Sequence, residues 1–266
     1  MSGTKATAYI HGSSDEREAE RLEVQARFVW PKVARHFHPK PGERVLDLAT
    51  GVGAMAGQLH KAHPDVRLFG VDLRLSQLRF AHRAHPEAQY ANANGAQLPF
   101  RDGTFDRVHC SWLLEHVSPD VAQRIVREAR RVLRKGGTAH FIEVDNSTFR
   151  ISPEDPDVSW AMDTLNHAQV EGGGDPFVGK KLGAYLKDAG FSRVELTPSG
   201  LHVSLADLPG LLSMVEEFAG IFESLDEALG PELHPRVQQA VRRLRALPEQ
   251  KDAEFHYEGM IAIATV

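Results

Sequence analysis

The sequence predicts an α/β protein built around a doubly wound, mostly parallel sheet with helices on both faces. Seven short segments rich in apolar and β-branched residues are spread along the 266 residues, and helical patterns separate most of them. Strands that alternate with helices form parallel sheets, because each crossover helix must pack back onto the sheet. The predicted strands cover residues 44–49, 66–72, 88–92, 106–111, 138–144, 192–198 and 257–265.

The first predicted strand runs through Asp47 into a turn that contains Gly51 and Gly53, and a helix begins near Ala54. Glycines let the backbone approach a ligand closely, and the first N–H groups of the helix are free to bind polar groups. The segment also matches the dinucleotide fingerprint G-x-G-x-x-G/A. A carboxylate at the strand end disfavours a pyrophosphate and favours a ligand with an ammonium and a sulfonium. The turn therefore predicts a nucleotide site and favours S-adenosylmethionine over NAD.

Further polar residues follow the next predicted strands. Asp72 ends the second strand and can accept hydrogen bonds from both ribose hydroxyls, as in dinucleotide-binding folds. Asn94 lies in a turn between the third and fourth strands, and its amide oxygen can accept a hydrogen bond from a ligand. Asn92 is the alternative acceptor for that bond. Because the carboxyl ends of parallel strands meet at one edge of the sheet, these residues are expected to lie near the first turn.

In this order the motifs resemble those of class I S-adenosylmethionine-dependent methyltransferases, over residues 42 to 145. The resemblance implies a Rossmann-like sheet of seven strands with the last strand antiparallel. Ala49 stands where the family usually has its first glycine, and Asn94 where it usually has Asp. The cofactor-binding residues implied are Asp47, Ala49, Gly51, Gly53, Asp72, Leu73, Asn94, Gly95 and Ser111.

Methyl transfer depends mainly on alignment and the exclusion of water, and a general base helps when the acceptor must lose a proton. By analogy with the family, His116 after the fourth strand and Glu143 at the end of the fifth are the candidate catalytic residues, with Asp145 a weaker third. Each has a structural alternative. His116 can be satisfied by backbone groups at a helix start, and Glu143 can orient a ligand or anchor a loop.

Three regions are expected outside the core of a single domain spanning residues 1–266. Residues 1–41, with a helix from about Asp15 to Arg35, form an N-terminal lid. Residues 146–178 join the fifth strand to a helix at 180–188. Residues 200–253 are a helical insert over the substrate site, between core segments 42–198 and 255–266, and dimerisation through this insert is its alternative role. Tyr9 and His11 are candidates to close over the cofactor, with a disordered terminus as the alternative.

The clearest helix opens with Ser118, followed by Pro119 at its first position, and is predicted to stop at Gly136 and Gly137. It carries apolar residues at four-residue spacing and several arginines. We interpret the arginines as a solvated face.

Composition limits the class of protein. The formal net charge of −5 argues against a general nucleic-acid binder, which carries a basic surface. The single cysteine, Cys110, cannot form an internal disulfide, and neither a signal peptide nor a membrane span is recognisable, so we expect a cytoplasmic protein. Fourteen histidines raise the question of a metal, but their pairs lack a carboxylate or cysteine at ligand spacing, so no metal site is predicted.

The sequence therefore predicts methyl transfer from S-adenosylmethionine to a small organic acceptor. By resemblance, the acceptor is a secondary metabolite or quinone-like compound, methylated at oxygen first and at carbon or nitrogen as alternatives. Three other functions stay open. They are an NAD-dependent oxidoreductase, a partner subunit that binds cofactor without catalysis, and a related fold member that uses the bound sulfonium for other chemistry.

Overall fold

The computed structural model describes residues 15–225 and 229–266, which form a mixed sheet flanked by helices. The strands are β1 Arg44–Leu48, β2 Arg67–Asp72, β3 Gln89–Asn92, β4 Phe105–Ser111, β5 Leu133–Ser152, β6 Arg193–Pro198, β7 Leu201–Ser204 and β8 Glu254–Thr265. The helices are α1 Asp15–Ala34, α2 Ala54–Ala62, α3 Leu75–Ala84, α4 Pro119–Val132, α5 Pro156–Glu171, α6 Leu182–Asp188, α7 Leu208–Glu223 and α8 His234–Arg245.

The strand order is β3-β2-β1-β4-β5-β8-β6, with β7 also paired to β8. Strands β1 to β5 are parallel, and β8 runs antiparallel to β5, β6 and β7. From β1 the chain moves to β2 and β3 on one side and then returns to β4 on the other. In such sheets ligands bind beyond the carboxyl ends of the strands where the order reverses. The predicted fold class is confirmed, and the crevice is expected between β1 and β4.

The buried apolar side chains form three clusters. The first packs α4 and α6 on the sheet and includes Phe105 and Phe141. The second packs α1 and α2 against the sheet and includes Phe37. In the third, α5, α7 and α8 pack over the far ends of β5, β7 and β8, with Phe218 and Phe255 among the buried residues. The third cluster gives the helical layer an apolar core distinct from that of the parallel sheet.

The eighth strand is the main departure from the expected topology. Residues 201–204 fall within the predicted helical insert, yet they pair with residues 254–257 of β8. Leu201 and Val203 are buried while His202 is exposed, which is the alternation of a half-covered strand. The prediction of seven strands is therefore one strand short of the eight in the described chain.

Strand β5 is also longer than the predicted 138–144. After an irregularity between Asp145 and Arg150, its final residues pair with β8 again, as far as Ser152 with Glu254. The two strands thus extend beyond the parallel sheet and provide the surface on which the helical layer packs. Residues 156–171, expected to join two elements, form helix α5 of that layer.

Helix α4 ends at Val132 rather than at the predicted Gly136. Leu133 is already extended and pairs with Phe105 of β4, because its side chain belongs to the buried core. At the next predicted helix, a short 3₁₀ turn at 178–181 precedes α6. Tyr9 and His11 lie outside the described residues. No helix in the described ranges is both long and apolar enough to span a bilayer.

Candidate functional site

The turn after β1 forms one wall of a cavity at the carboxyl ends of the strands. Ala49, Gly51 and Gly53 all have positive φ, of 60°, 55° and 80°. Two backbone bonds fix the turn, from Thr50 N to the Val71 oxygen at 2.9 Å and from Gly53 N to the Thr50 oxygen at 2.8 Å. Ala49 and Gly51 line the cavity. Because residues with left-handed backbone conformation here are glycine or alanine, few side-chain atoms separate the backbone of the turn from the cavity.

Asp47 lies beneath this turn and not in the cavity lining. Only 2% of its surface is exposed, and its Oδ2 accepts a hydrogen bond of 2.6 Å from Thr50 Oγ1. Burial, with the nearby charge of Asp72, raises the pKa of Asp47 to about 7. The predicted direct contact of Asp47 with a cationic ligand is therefore not what this position provides. Its contact with Thr50 instead shapes the turn.

Gly53 also serves packing more than ligand contact. A Cβ at Gly53 would lie 2.8 Å from the Tyr90 hydroxyl and 3.0 Å from the Ala81 side chain. The residue caps α2 and is not part of the cavity lining. A side chain here would push α3 and β3 away from the turn.

The second predicted carboxylate does reach the cavity. Asp72 lines it together with Leu73, and its two oxygens accept hydrogen bonds from Gly51 N at 2.9 Å and Arg74 N at 2.8 Å. Each carboxylate oxygen retains further acceptor capacity for a ribose hydroxyl. Burial raises the pKa of Asp72, and the backbone hydrogen bonds oppose that shift. Asn92 donates to the carbonyls of Asp72 and Leu73, so it positions this edge from outside the lining.

Asn94, Gly95 and Ser111 line the same cavity. The Asn94 side-chain oxygen accepts from Ala96 N at 2.9 Å and so holds the turn that carries it. The chain passes close to β1 at Gly95, because a Cβ there would lie 3.2 Å from Leu48 Cδ1. The predicted nucleoside contacts are therefore brought together along β1, β2 and the turn after β3.

Beyond Asp72, Asn94 and the turn after β1, the cavity continues as an apolar chamber. The volume of the whole cavity is about 770 Å³. That volume is within the range typical of small-molecule sites, roughly 300–1,000 Å³. Its additional walls come from α1, α5, α7 and the strand ends of β5 and β8. The apolar lining there includes Leu22, Val29, Trp112, Val144, Leu165, Met214, Phe218, Ile221 and Ile261.

A chain of polar side chains crosses the wall of this chamber and ends at His116. Tyr257 donates to Asn146 at 2.8 Å, and Gln169 donates to Glu115 Oε2 at 2.8 Å. Asn146 and Gln169 are linked by a longer contact of 3.4 Å. Glu115 Oε1 lies 3.7 Å from His116 Nε2. All five residues line the cavity. The hydrogen bonds run from Tyr257 towards Glu115, whose carboxylate faces His116, the predicted base.

Glu143 lies against the backbone of Leu113 and Leu114 and does not line the cavity. It is fully buried, and its Oε1 accepts hydrogen bonds from the backbone N–H groups of Leu113 and Leu114 at 3.1 and 2.9 Å. Burial and the nearby charge of Glu115 raise the pKa of Glu143 well above its usual range, which favours the neutral acid. A general base must reach the acceptor, so this position favours the loop-anchoring alternative for Glu143 over the catalytic one.

Asp145, the weaker catalytic candidate, is also outside the lining. Its Oδ1 accepts from the backbone N–H and hydroxyl of Ser147 and lies 3.5 Å from Lys180 Nζ. Of the three candidates for a base, only His116 lines the cavity.

Sequence reasoning did not identify the polar residues that α1 and α7 bring to the chamber. Arg21 forms an ion pair with Glu217, and Gln25 donates to the same carboxylate at 2.9 Å. These residues are far apart in the chain, so no local motif joins them. The detectable signal was the apolar stripe of α1, with polar residues along its edge.

The described residues contain no group of three or more histidine, cysteine or acidic side chains that could hold a metal ion. His109 and His140, on neighbouring strands, are instead paired with each other, with their Nδ1 atoms 3.0 Å apart. The two rings stack on each other within the sheet.

Comparisons with known proteins agree with this architecture. Residues 45–137 match the family model described as a methyltransferase domain. A demethylmenaquinone methyltransferase of Beutenbergia cavernae is 39% identical over 98 residues, which is 37% of this chain and 39% of that protein. The matched regions span less than half of the length of each of the curated relatives.

Solved structures match over most of the chain. A protein described as a methyltransferase from an antibiotic biosynthesis pathway of Anabaena variabilis superimposes with a TM-score of 0.63 and 18% identity, covering 90% of this chain and 97% of its own. Phosphoethanolamine N-methyltransferase 2 of Haemonchus contortus, solved with S-adenosylhomocysteine and phosphomonomethylethanolamine, gives a TM-score of 0.59 and 17% identity, covering 89% and 52%. Residues 45–137 therefore match a methyltransferase domain, and the solved structures show the same fold over most of the chain.

Proposed function

We propose that the protein transfers a methyl group from S-adenosylmethionine to a small organic acceptor, with oxygen as the expected methylated atom. The observation that carries this proposal is a single cavity joining the glycine turn and Asp72 to an apolar chamber containing His116. A site of this shape can hold a nucleoside at one end and an acceptor at the other. Carbon and nitrogen remain the alternative acceptor atoms.

Two features of the cofactor end support S-adenosylmethionine as the ligand. Gly51 has a positive φ that favours glycine, and Asp72 presents its carboxylate to the same space. Asp72, with Leu73, would hold the ribose, and Asn94, Gly95 and Ser111 would contact the adenine end. When bound, the cofactor supplies an electrophilic methyl group on a sulfonium.

The acceptor end favours a compound with an apolar body. Trp112, Phe218 and Tyr257 provide aromatic surface, and aliphatic side chains of α1 and α7 complete the walls. The menaquinone relative and the antibiotic-pathway neighbour support a quinone-like compound or secondary metabolite as the acceptor class. We propose that α1 and residues 200–253 cover the acceptor and exclude water from it.

His116 is proposed as the general base, with Glu115 as its positioning partner. Gln169 donates to Glu115, so one carboxylate oxygen is occupied while the other faces His116 at 3.7 Å. A proton leaving an acceptor hydroxyl would pass to the imidazole, and the facing carboxylate would stabilise the charge that results.

The cofactor assignment is tested by calorimetric titration with S-adenosylhomocysteine, with NADH as the parallel control. Micromolar binding of S-adenosylhomocysteine alone is expected. Binding of NADH alone would support the oxidoreductase alternative, and binding of neither would overturn the cofactor proposal.

Transfer is tested by incubating the protein with S-adenosylmethionine and a panel of phenols, quinols and amines, with mass spectrometry detecting the gain of one methyl group. With an acceptor in hand, His116→Ala should lower turnover by about 10²-fold or more while sparing S-adenosylhomocysteine affinity. Equal turnover would leave alignment alone as the mechanism. Cofactor binding without any transfer would favour the partner-subunit alternative.

A further inference from the structure

Lys32 brings a positive charge into the acceptor end of the cavity. It lies in the last turn of α1, lines the cavity and is half-buried. Its Nζ donates to the backbone oxygen of Gly200 at 2.7 Å and to that of Ser199 at 3.3 Å. An ammonium has three N–H donors, so these two bonds leave one donor for another partner.

The charge of Lys32 is not neutralised within the described part of the chain. Its recorded partners there are carbonyl oxygens, and no ion pair links it to a carboxylate. Burial, together with the charge of nearby Arg35, lowers the pKa of Lys32. The other cation that α1 places in the cavity, Arg21, is paired with Glu217. A partly desolvated ammonium without a counter-ion is costly, and an anionic ligand removes that cost.

The strand order places Lys32 on the acceptor side of the site. Its partners, Ser199 and Gly200, form the connection between β6 and β7, at one side of the sheet. Asp72 and the turn with Asn94 follow β2 and β3, at the other side. Strands β1, β4, β5 and β8 lie between them. A nucleoside bound at Asp72 and Asn94 would therefore lie away from Lys32, which is placed to contact the acceptor.

Apolar side chains from the elements that carry Lys32 and its partners also line the cavity. Val29, one turn earlier on α1, and Leu201 and Ile261 from the strands line the same cavity. An anion recognised here must therefore carry an apolar body. A small inorganic anion would not fill these walls.

We propose that Lys32 is the specificity residue of the acceptor site and binds an anionic oxygen, a carboxylate or an ionised phenol, on an aromatic acceptor. The inference rests on the proposed methyltransferase function, because it assigns Lys32 to the acceptor rather than to the cofactor. The anionic oxygen would take the remaining N–H of Lys32 in a charge-assisted hydrogen bond.

The test uses 2-naphthoate and 2-naphthamide, which share a ring system and differ in charge. Binding is measured by quenching of intrinsic tryptophan fluorescence, since Trp112 lines the cavity, and by calorimetry, both with and without saturating S-adenosylhomocysteine. We expect 2-naphthoate to bind at least tenfold more tightly than 2-naphthamide. Lys32→Met should abolish that preference without changing S-adenosylhomocysteine affinity.

Two further variants keep the result interpretable. Lys32→Arg retains the charge and should keep the preference for the acid, even if the bonds to Ser199 and Gly200 are altered. Lys40→Met removes an exposed lysine beyond α1 and should behave as the wild type. Equal affinity for acid and amide, no binding of 2-naphthoate, or a preference that survives Lys32→Met would overturn the inference. Failure of S-adenosylhomocysteine to bind would instead contradict the proposed function, since the naphthoate titration is also made without it.

Discussion

At the scale of single residues, the turn after β1 contains a conformation that its sequence does not favour. Ala49 has a φ of 60°, where a side chain is disfavoured and glycine is the usual residue. Thr50 and Val71 hold the turn through their backbone bond, and Gly51 is tied to Asp72. The surrounding contacts therefore impose the left-handed geometry on Ala49.

Ala49→Gly is expected to stabilise the protein, because removing the Cβ relieves a conformational cost of about 1–2 kcal/mol, partly offset by the added entropy of glycine in the unfolded chain. The expected net gain is about 0.5–1 kcal/mol. Chemical denaturation measures it directly. Ala56→Gly, in the buried interior of α2, is the matched control and should lose about 1 kcal/mol. A destabilised Ala49→Gly variant would contradict the account.

Asp72→Ala should weaken S-adenosylhomocysteine binding by about 2–3 kcal/mol, because it removes the charged acceptor proposed for two ribose hydroxyls. This corresponds to a dissociation constant about 30- to 150-fold higher, measured by calorimetry. Asp120→Ala, an exposed carboxylate at the start of α4, serves as the control and should have no effect. Unchanged affinity of Asp72→Ala would refute the ribose role.

At the scale of elements, the register of β4 and β5 brings two histidines together inside the sheet. His109 and His140 are direct neighbours in that register, stack with ring centroids 5.1 Å apart and are both almost fully buried. Phe37 contacts both rings edge-on. Burial lowers the pKa of His109 to about 4, and burial and its neighbour His109 lower that of His140 well below its usual range.

This pair predicts a loss of stability on acidification. A histidine whose pKa is lowered on folding is neutral in both states above pH 6.5, so it contributes no pH dependence there. Between pH 6.5 and about 4 the unfolded chain binds a proton that the folded chain excludes. The free energy of unfolding should therefore fall by roughly 3 kcal/mol through His109 over that range.

Denaturation at several pH values from 7 to 4 checks this expectation. His109→Leu should show a shallower fall than the wild type, whatever its stability at pH 7. His202→Ala, which changes an exposed histidine, should retain the slope of the wild type. Equal slopes in all three proteins would exclude the histidine pair as the acid-sensitive element.

At the scale of the whole molecule, α1 forms one wall of the cavity and contacts a segment far along the chain. Arg21 and Gln25 bind Glu217 of α7, and Lys32 binds the connection between β6 and β7. Below them, Ala26, Val29 and Val33 are buried against the sheet. The polar contacts therefore join the N-terminal helix to the helical layer across the site.

Glu217→Ala is expected to loosen α1 because it removes the acceptor of both Arg21 and Gln25. Amide hydrogen exchange in α1 should accelerate by about tenfold, while β1 and β4 stay protected. Glu223→Ala is the matched control, since Glu223 lies on the same helix and pairs with Arg245 of α8. Equal exchange of α1 in both variants would show that its apolar stripe alone holds it.

The sequence by itself determined the class of fold and which strand-end residues meet at one cavity. Strand periodicity, the turn with Gly51 and Gly53, and the position of Asp72 are local features, and local features can be recognised in a linear chain. Residues that follow neighbouring parallel strands must meet at one edge of the sheet, so Asp72, Asn94 and Ser111 could be placed together in advance.

The tertiary structure alone decided which carboxylates face the cavity and what forms the acceptor end. Asp47 lies near the end of β1 and Glu143 lies within the long strand β5. Unlike Asp72, both are buried under turns that they hold, because the surroundings of such a side chain depend on the loop that covers it. Strand β7 pairs with residues 50 to 56 positions further along the chain. The contacts of Lys32 with Gly200 and of Glu217 with Arg21 join residues 168 and 196 positions apart. Such contacts depend on how α1 and α7 pack across the sheet, and that packing is absent from any local pattern.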